Sequence, residues 1–278
     1  MPSHVRITLL VDHTSSRPDL ETEHGLSFLV EADDEVLLFD AGASEAAFRN
    51  AERLGTPWRR ITRIILSHGH CDHTGGLGPF LRALPEARVY LHPRTMSPKY
   101  SLHPNQPPRL LSMPDEVQGL LQSRMALLHW STAPMRLGDG LGLTGPIPRH
   151  HPEEAASGPF HLDLEGRDPD PLEDDQALWL ALPQGLVVLL GCAHAGVINT
   201  LDHIRAITKR DAVLAVVGGL HLASASDARI RPTVQTLWGT AVKQVAPVHC
   251  TGLPATALLR ETFGDLGRPL RVGDSLAF

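Results

Sequence analysis

The stretch Ser67-His68-Gly69-His70-Cys71-Asp72-His73 holds four potential metal ligands within a few residues and follows an apolar run at residues 61–66. The run predicts a buried strand, so the motif lies at a strand's carboxyl end, where open α/β sheets bind ligands. Residues two apart in an extended turn point the same way, so His68 and His70 can share one ion. Asp72 and His73, at the next helix start, can face a second ion. The motif therefore predicts a dinuclear metal site.

Three more histidines follow predicted strands further along the chain. His194 comes after the strand at residues 186–190, His221 after 212–217 and His249 after 244–248. A single histidine after a strand is as often a hydrogen-bonded core residue as a metal ligand. Three strands that are each followed by a histidine favour metal ligands. Since four ligands cannot complete two metal sites, we expect these histidines to supply the rest.

The remaining histidines and the cysteines carry a weaker signal. Nine histidines lack such a context and are predicted to be ordinary surface or loop residues: His4, His13, His92, His103, His129, His150, His151, His161 and His203. His24 stays open between that group and a substrate-binding role. The odd number and wide spacing of Cys71, Cys192 and Cys250 disfavour a disulfide framework.

Composition restricts the class of protein. The 278 residues include 31 acidic and 25 basic side chains, a net charge of -6, which is the opposite of the basic surface of a general nucleic-acid binder. The longest apolar stretch, residues 185–198, is too short to span a bilayer. Residues 1–12 lack the pattern of a signal peptide. We expect a cytoplasmic protein without nucleic-acid or membrane partners; a homo-oligomer stays open.

Periodicity and turn residues predict a mixed α/β chain. Strands are predicted at residues 5–11, 26–31, 36–39, 61–66, 88–92, 177–181, 186–190, 212–217, 244–248 and 270–272, and helices at 44–54, 74–84, 114–130, 198–209, 228–242 and 255–263. They are predicted to form one domain over residues 1–278. Residues from about 93 to 130 are interpreted as an inserted loop and helix, and those from about 146 to 174 as a mobile surface segment.

Beyond these patterns, the sequence resembles the metallo-β-lactamase superfamily, whose signature is H-x-H-x-D-H after a strand. Further stretches match one branch of it: Glu23-His24-Gly25-Leu26-Ser27, Leu38-Phe39-Asp40-Ala41-Gly42, Gly145-Pro146-Ile147-Pro148-Arg149, Asp174-Asp175-Gln176-Ala177-Leu178, Gly191-Cys192-Ala193-His194-Ala195-Gly196, Gly218-Gly219-Leu220-His221-Leu222 and His249-Cys250-Thr251-Gly252. That branch is named for 7,8-dihydropterin-6-ylmethyl-4-(β-D-ribofuranosyl)aminobenzene 5′-phosphate synthase, a methanopterin-pathway activity. The resemblance covers about residues 5 to 276.

The resemblance implies a four-layer αββα sandwich with two divalent metal ions, zinc first and manganese or iron as alternatives. His68, His70 and His194 would bind the first ion, and Asp72, His73 and His249 the second. Asp40 matches a position that braces the metal-binding loop.

The sequence also departs from the commonest superfamily pattern. Asp174 and Asp175 stand where an upstream histidine completes the first site, and Cys192 lies near the place of a bridging aspartate. Cys192, Asp175 and His221 are therefore further candidate ligands, whereas Cys71 fills a variable position and is not expected to bind metal.

The function expected from this pattern is hydrolysis. A dinuclear metal-bound hydroxide would attack an ester, lactone or phosphoester, with Asp72 and His221 as catalytic residues. Arg149 could hold an anionic group of a small-molecule substrate. Two alternatives remain. The branch name implies a transferase that condenses a dihydropterin pyrophosphate with β-ribofuranosylaminobenzene 5′-phosphate, and the non-enzymatic alternative is a metal-bearing ligand sensor.

Overall fold

The computed structural model describes residues 1–154 and 158–278. Within these ranges the strands are β1 (Val5–Val11), β2 (Ser27–Ala32), β3 (Glu35–Phe39), β4 (Arg63–Ile65), β5 (Arg88–Leu91), β6 (Tyr100–Ser101), β7 (Arg109–Leu110), β8 (Leu128–Trp130), β9 (Met135–Gly138), β10 (Leu141–Leu143), β11 (Phe160–His161), β12 (Leu178–Leu182), β13 (Gly185–Leu190), β14 (Val213–Gly219), β15 (Gln244–Val248) and β16 (Ser275–Ala277). The α-helices are α1 (Ala46–Arg53), α2 (Cys71–Thr74), α3 (Leu77–Ala83), α4 (Asp115–Gln122), α5 (Val197–Thr208), α6 (Asp227–Gly239) and α7 (Leu253–Phe263).

The described residues form two compact units, each assembled from segments that are separate in sequence. The amino-terminal unit contains residues 4–132, 158–174 and 271–278, and the carboxy-terminal unit contains residues 1–3, 133–154 and 175–270. Each unit has a cluster of buried apolar side chains of its own. The single domain over residues 1–278 stays a prediction.

A seven-stranded sheet forms the frame of the amino-terminal unit, in the order β16-β1-β2-β3-β4-β5-β8. β1, β2 and β3 are antiparallel, and a tight turn at Asp33 and Asp34 joins β2 to β3. β3, β4, β5 and β8 are parallel, so their carboxyl ends lie at one edge of the sheet. Asp40 follows β3 at this edge, and the H-x-H-x-D-H motif follows β4.

In the core of this unit, alternate residues of the sheet pack with residues on one face of three helices. Leu38 and Ile64 are fully buried on the strands, and Ala47, Phe80 and Leu121 belong to the same cluster from α1, α3 and α4. Because successive strand residues point to opposite faces, the strand residues of this cluster are those on the face that the helices cover.

The predicted helix at residues 114–130 is wrong in its second half. α4 ends at Gln122, a 3-10 turn covers Met125–Leu127, and Leu128–Trp130 form β8, parallel to β5. Helical spacing continues to Leu128, but pairing with β5 depends on residues far away in sequence, which local periodicity does not report. The preceding stretch, predicted as a loop, contains β6 and β7, which form a small sheet with β11 in the order β11-β6-β7.

A six-stranded sheet forms the frame of the carboxy-terminal unit, in the order β15-β14-β13-β12-β10-β9. β13, β14 and β15 are parallel, with Leu190 beside Gly218 and Gly219 beside Val248 at their carboxyl ends. The prediction that three strands end at the same edge is thus confirmed. α5, α6 and α7 share a buried cluster with this sheet, through residues such as Ile204, Leu237 and Leu259.

Three other element predictions need correction. The helix predicted at residues 74–84 is two helices, α2 and α3, with Gly75 and Gly76 between them. The terminal strand lies at Ser275–Ala277 rather than 270–272, because it pairs with β1. β9 and β10 were not predicted, since they are short and their apolar residues are interrupted by glycines.

The segment from 146 to 174 is described except for residues 155–157, which lie outside the described ranges. In its first part, the backbone N–H groups of His150 and His151 donate to Asn199 Oδ1 of α5, at 2.8 and 3.0 Å. Glu154 accepts the N–H of Asn199 at 2.9 Å. The mobility expected of this segment stays a prediction.

We find no helix in the described ranges with both the length and the apolar character that a membrane crossing requires.

Candidate metal centre

The H-x-H-x-D-H motif is held by the segment that the sequence predicts as an insertion. His70 forms an isolated antiparallel bridge with Ser112, and the N–H of Cys71 donates to the carbonyl of Leu111 at 2.7 Å. A Cβ atom on Gly69 would lie 2.4 Å from the carbonyl oxygen of Thr95, so only glycine fits between the two histidines. The stretch between β5 and α4 therefore fixes the backbone of the motif.

His68 and His70 are placed to share one ion. Both side chains are buried, and His68 Nε2 lies 3.0 Å from His70 Nδ1. Two nitrogen ligands on a tetrahedral zinc ion, with bonds of about 2.0 to 2.1 Å, lie about 3.3 Å apart. Burial lowers the pKa of His70 to about 3, so the imidazole is neutral near pH 7 and a metal ion displaces no proton from it.

Asp40 orients the next histidine of the motif. Its Oδ2 accepts a hydrogen bond from His73 Nδ1 at 2.7 Å, and both side chains are fully buried. Because the carboxylate accepts, Nδ1 carries the proton and Nε2 is left unprotonated, as a metal ligand must be. His73 Nε2 lies 3.8 Å from Asp72 Oδ2. The geometry agrees with the bracing position that the resemblance assigns to Asp40.

The same carboxylate reaches His68 through Ser67. Asp40 Oδ1 accepts the backbone N–H of Ser67, and Oδ2 accepts its hydroxyl, both at 2.7 Å. Since the single hydroxyl proton points to Asp40, Ser67 Oγ accepts from His68 Nδ1, 2.9 Å away. His68 therefore also presents an unprotonated Nε2. Sequence reasoning missed Ser67.

A buried ion cluster lies behind the motif and was also missed. Lys99 is 1% exposed, and its Nζ lies 2.8 Å from Asp170 Oδ2 and 3.0 Å from Asp174 Oδ1. The other oxygen of Asp174 accepts the N–H of Gly69 at 2.8 Å. The cluster thus fixes the peptide between His68 and His70. In the sequence, one feature could have drawn attention to this cluster. Lys99 is one of three lysines, whereas the other Lys or Arg positions of the chain hold arginine.

His24 contacts the motif from its exposed side. His24 Nε2 lies 3.2 Å from Asp72 Oδ2, and its Nδ1 lies 2.8 Å from His13 Nε2. His13 in turn bonds the buried Asp12 at 2.7 Å. The structure therefore places His24 beside a predicted ligand, and it adds His13, which the sequence predicts to be an ordinary surface or loop residue.

The carboxy-terminal unit gathers a second set of donors at the ends of β13, β14 and β15. The rings of His194 and His221 have centroids 4.3 Å apart. The sulfur of Cys192 lies within 4.8 Å of a ligand atom of His194, His221 and His249. Strand-end histidines of this unit are therefore brought together as predicted, and Cys192 lies among them.

Backbone strain marks the same strand ends. Ala193, His221 and His249 have φ of 52°, 50° and 52°, and in the other unit Asp40 has 58°. Residues other than glycine rarely adopt this left-handed backbone conformation. It costs free energy and is concentrated at functional sites.

Two further candidates have defined places. Asp175 is buried and one of its oxygens accepts the N–H of Ala195 at 2.7 Å, next to His194. This bond gives Asp175 a part in positioning the loop. Arg149 is exposed on the stretch that follows β10.

Comparisons with known proteins agree with this architecture. Residues 20–202 match the metallo-β-lactamase superfamily. The chain belongs to this superfamily. A 7,8-dihydropterin-6-methyl-4-(β-D-ribofuranosyl)-aminobenzene-5′-phosphate synthase from Methanocaldococcus jannaschii is 28% identical over 285 residues, which cover 98% of this chain and 95% of that protein.

Two solved structures share the fold of this superfamily member. A metal-dependent hydrolase of the β-lactamase superfamily is similar with a TM-score of 0.81 and 30% identity, and 98% of each chain is covered. YhfI from Bacillus subtilis, a metallo-β-lactamase fold protein, has a TM-score of 0.57 at 13% identity and covers 99% of this chain and 100% of its own. The predicted α/β metallo-β-lactamase fold is confirmed.

Replacing Asp40 should weaken metal binding without unfolding the chain. Asp40→Asn keeps the shape of the side chain but turns one acceptor into a donor, and we expect metal affinity to fall about 10- to 100-fold because His68 and His73 lose their fixed orientation. Competition with a chelator measures the affinity, and circular dichroism checks folding. Asp34→Asn, in the exposed turn after β2, is the matched control; equal affinities of the two variants would contradict the role of Asp40.

Replacing Lys99 should destabilise the fold of the motif. Lys99→Met leaves two buried carboxylates without a cation, and removing one partner of a buried ion pair typically costs about 3–5 kcal/mol. Urea unfolding measures the loss, with the exposed Lys243→Met as control. Adding Asp170→Asn to Lys99→Met should restore part of the stability, since one uncompensated charge is then removed. Unchanged stability of Lys99→Met would contradict the prediction.

Proposed function

We propose that this superfamily member is a metal-dependent hydrolase that acts on a small, anionic ester, lactone or phosphoester. The observation that carries the proposal is the set of buried imidazoles at His68, His70 and His73, two of which have their protonation fixed through Asp40. Buried histidines held with unprotonated ring nitrogens side by side are suited to metal ions, and in this superfamily the same motif is a metal-binding signature.

The donors suit two divalent ions of the zinc class, with manganese or iron as alternatives. We assign His68 and His70, with His194, to the first ion, and Asp72 and His73, with His249, to the second. These assignments rest on the family motif and on the geometry within each unit. Asp175 and Cys192 stay candidate ligands. When bound, such ions lower the pKa of water toward neutrality and act as Lewis acids on a carbonyl or phosphoryl oxygen.

The chain's own residues then hold the ions and the substrate. Asp40 keeps the rings of His68 and His73 in the ligating orientation, and the Lys99 cluster keeps the peptide between His68 and His70 in place. Asp72, which lies 3.2 Å from His24 Nε2, is proposed as a catalytic carboxylate with His24 on the substrate side. Arg149 is proposed to bind an anionic group by charge-assisted hydrogen bonds. For His221 two roles remain, an acid-base group or an additional ligand.

A second candidate function is a transferase. The similarity to the M. jannaschii synthase spans nearly the full length of both chains. In this alternative, a dihydropterin pyrophosphate would be condensed with β-ribofuranosylaminobenzene 5′-phosphate. The positive charge of the metal centre would then stabilise the diphosphate leaving group.

Metal analysis followed by a substrate panel separates these functions. We expect a pair of divalent ions per chain in metal-replete protein, and turnover of at least one of a phosphoester, a lactone and a thioester. Diphosphate release that requires both the pterin and the aminobenzene substrate would favour the transferase instead. Fewer than one ion per chain under replete conditions would contradict the dinuclear centre, and stoichiometric binding without product would indicate a sensor.

Histidine substitutions test the sorting of the ligands. His68→Ala and His249→Ala should each lower bound metal and abolish activity, because each removes a proposed ligand. His150→Ala should change neither, since only the backbone N–H of His150 makes its bond to Asn199. Elemental analysis and turnover are the measurements. An equal loss in all three variants would show that the sorting is wrong.

A further inference from the structure

The loop that carries His194 is held by hydrogen bonds on both sides of one residue. Ala195, which directly follows His194, donates its N–H to Asp175 at 2.7 Å, and its carbonyl accepts from Asn199 Nδ2 at 2.8 Å. Ala195 and Asn199 are both buried. The two peptide groups of Ala195 therefore have fixed partners, one of which is the side chain of Asn199 in the first turn of α5.

Asn199 is in turn held by residues 150–154. Its Oδ1 accepts two backbone N–H groups of this segment at 2.8 and 3.0 Å, and its own N–H donates to Glu154 Oε2 at 2.9 Å. The oxygen of an amide side chain only accepts hydrogen bonds and the nitrogen only donates them. Because the oxygen faces the segment and the nitrogen faces the carbonyl of Ala195, one orientation of Asn199 satisfies both sides. Asn199 thus links residues 150–154 to the loop after β13.

Glu154 lies at the amino-terminal end of α5. Its side chain is 1% exposed, and its second oxygen lies 3.5 Å from the hydroxyl of Thr233 on α6. The N-cap residue of α5 is Gly196, which has a φ of 96° and no side chain to accept the first N–H groups of the helix. A Cβ atom on Gly196 would lie 2.4 Å from Glu154 Cβ, so the glycine leaves the space that Glu154 fills. A residue distant in sequence therefore caps this helix.

The buried carboxyl of Glu154 costs free energy. Burial raises its pKa, although the backbone N–H groups of Asn199 and Ile198 and the charge of Arg229 lower the pKa in part. An N-cap serine accepts the same N–H groups of a helix without the burial of a carboxyl. Local rules of this kind are most often broken at functional sites, which favours a role for Glu154 beyond helix capping.

We propose that residues 150–154 form a clamp on the loop that carries His194, in which Glu154 and Asn199 act as positioning residues. The segment fixes Asn199, Asn199 fixes the carbonyl of Ala195, and the imidazole of His194 is thereby held toward the first metal ion. This inference rests on the proposed function only through the assignment of His194 as a ligand of that ion.

A double-mutant cycle on metal affinity tests the clamp. Competition of the apoprotein with a chelator for Zn(II) measures the affinity, and circular dichroism checks folding. We expect a loss of about 10-fold or more in Asn199→Ala, and a smaller loss in Glu154→Gln, which keeps one acceptor oxygen. Because Asn199 acts through His194, Asn199→Ala should add nothing to the loss in His194→Ala.

Thr208→Ala is the matched control. It removes a hydrogen bond to the carbonyl of Ile204, at 2.7 Å, from the opposite end of α5, and should leave metal affinity unchanged. Full affinity in Asn199→Ala, or losses that add in the double variant with His194→Ala, would overturn the proposal. Full affinity in His194→Ala would overturn the ligand assignment together with the clamp. Lack of turnover in metal-loaded wild-type protein would overturn the proposed function alone, because the cycle measures only metal binding.

Hydrogen exchange of the apoprotein gives a readout that needs no metal. In Asn199→Ala we expect the amides of residues 192–199 to exchange faster than in wild type, while those of residues 203–208 keep their protection. Unchanged exchange of the first group would overturn the clamp. Equal acceleration along the whole of α5 would indicate a general loss of helix stability and would also overturn it.

Discussion

The buried carboxylate of Asp40 is the constraint on which the amino-terminal half of the candidate site depends. It is fully buried and accepts three hydrogen bonds, from the N–H and hydroxyl of Ser67 and from His73 Nδ1. A buried carboxylate is tolerated only when its oxygens are paired, so the loop after β4 has one arrangement in which Asp40 is satisfied. That arrangement orients His68 and His73 at the same time. Asp40 has a left-handed backbone conformation, which costs free energy, while its side chain points at the loop.

In each unit an aspartate accepts a hydrogen bond from a backbone N–H next to a candidate ligand, in a loop that follows a strand. In the amino-terminal unit Asp174 accepts from Gly69, and in the carboxy-terminal unit Asp175 accepts from Ala195. The two aspartates are neighbours in sequence. The resemblance to the superfamily predicts that they stand where its commonest pattern has a histidine ligand. In the structure each of them holds a loop that carries a candidate ligand.

The sequence predicts features of the site that depend on local residue patterns. It does not predict features that depend on residues far apart in the chain. Period-two spacing and apolar strands were enough to predict that His68 and His70 lie together and that His194 and His221 meet at one sheet edge. The resemblance to a known family added Asp40. Lys99 was missed because its partners, Asp170 and Asp174, lie some seventy residues away in a stretch without periodicity. The helix predicted at residues 114–130 failed for a related reason, since β5 rather than local propensity decides the conformation of Leu128–Trp130.

Lysine rather than arginine at residue 99 follows from the space around Gly69. A Cβ atom on Gly69 would lie 2.8 Å from Lys99 Cε, so the lysine stem already passes against the bare backbone between His68 and His70. The planar guanidinium of arginine is wider than an ammonium and presents its donors in a fixed fork, whereas the compact ammonium can contact Asp170 and Asp174 from one point. Gly69 and Lys99 are therefore a matched pair: the missing side chain makes room for the lysine, and the lysine neutralises the aspartate that holds the glycine. The position of the first two histidines thus rests on sterics and buried charge that lie outside the motif itself.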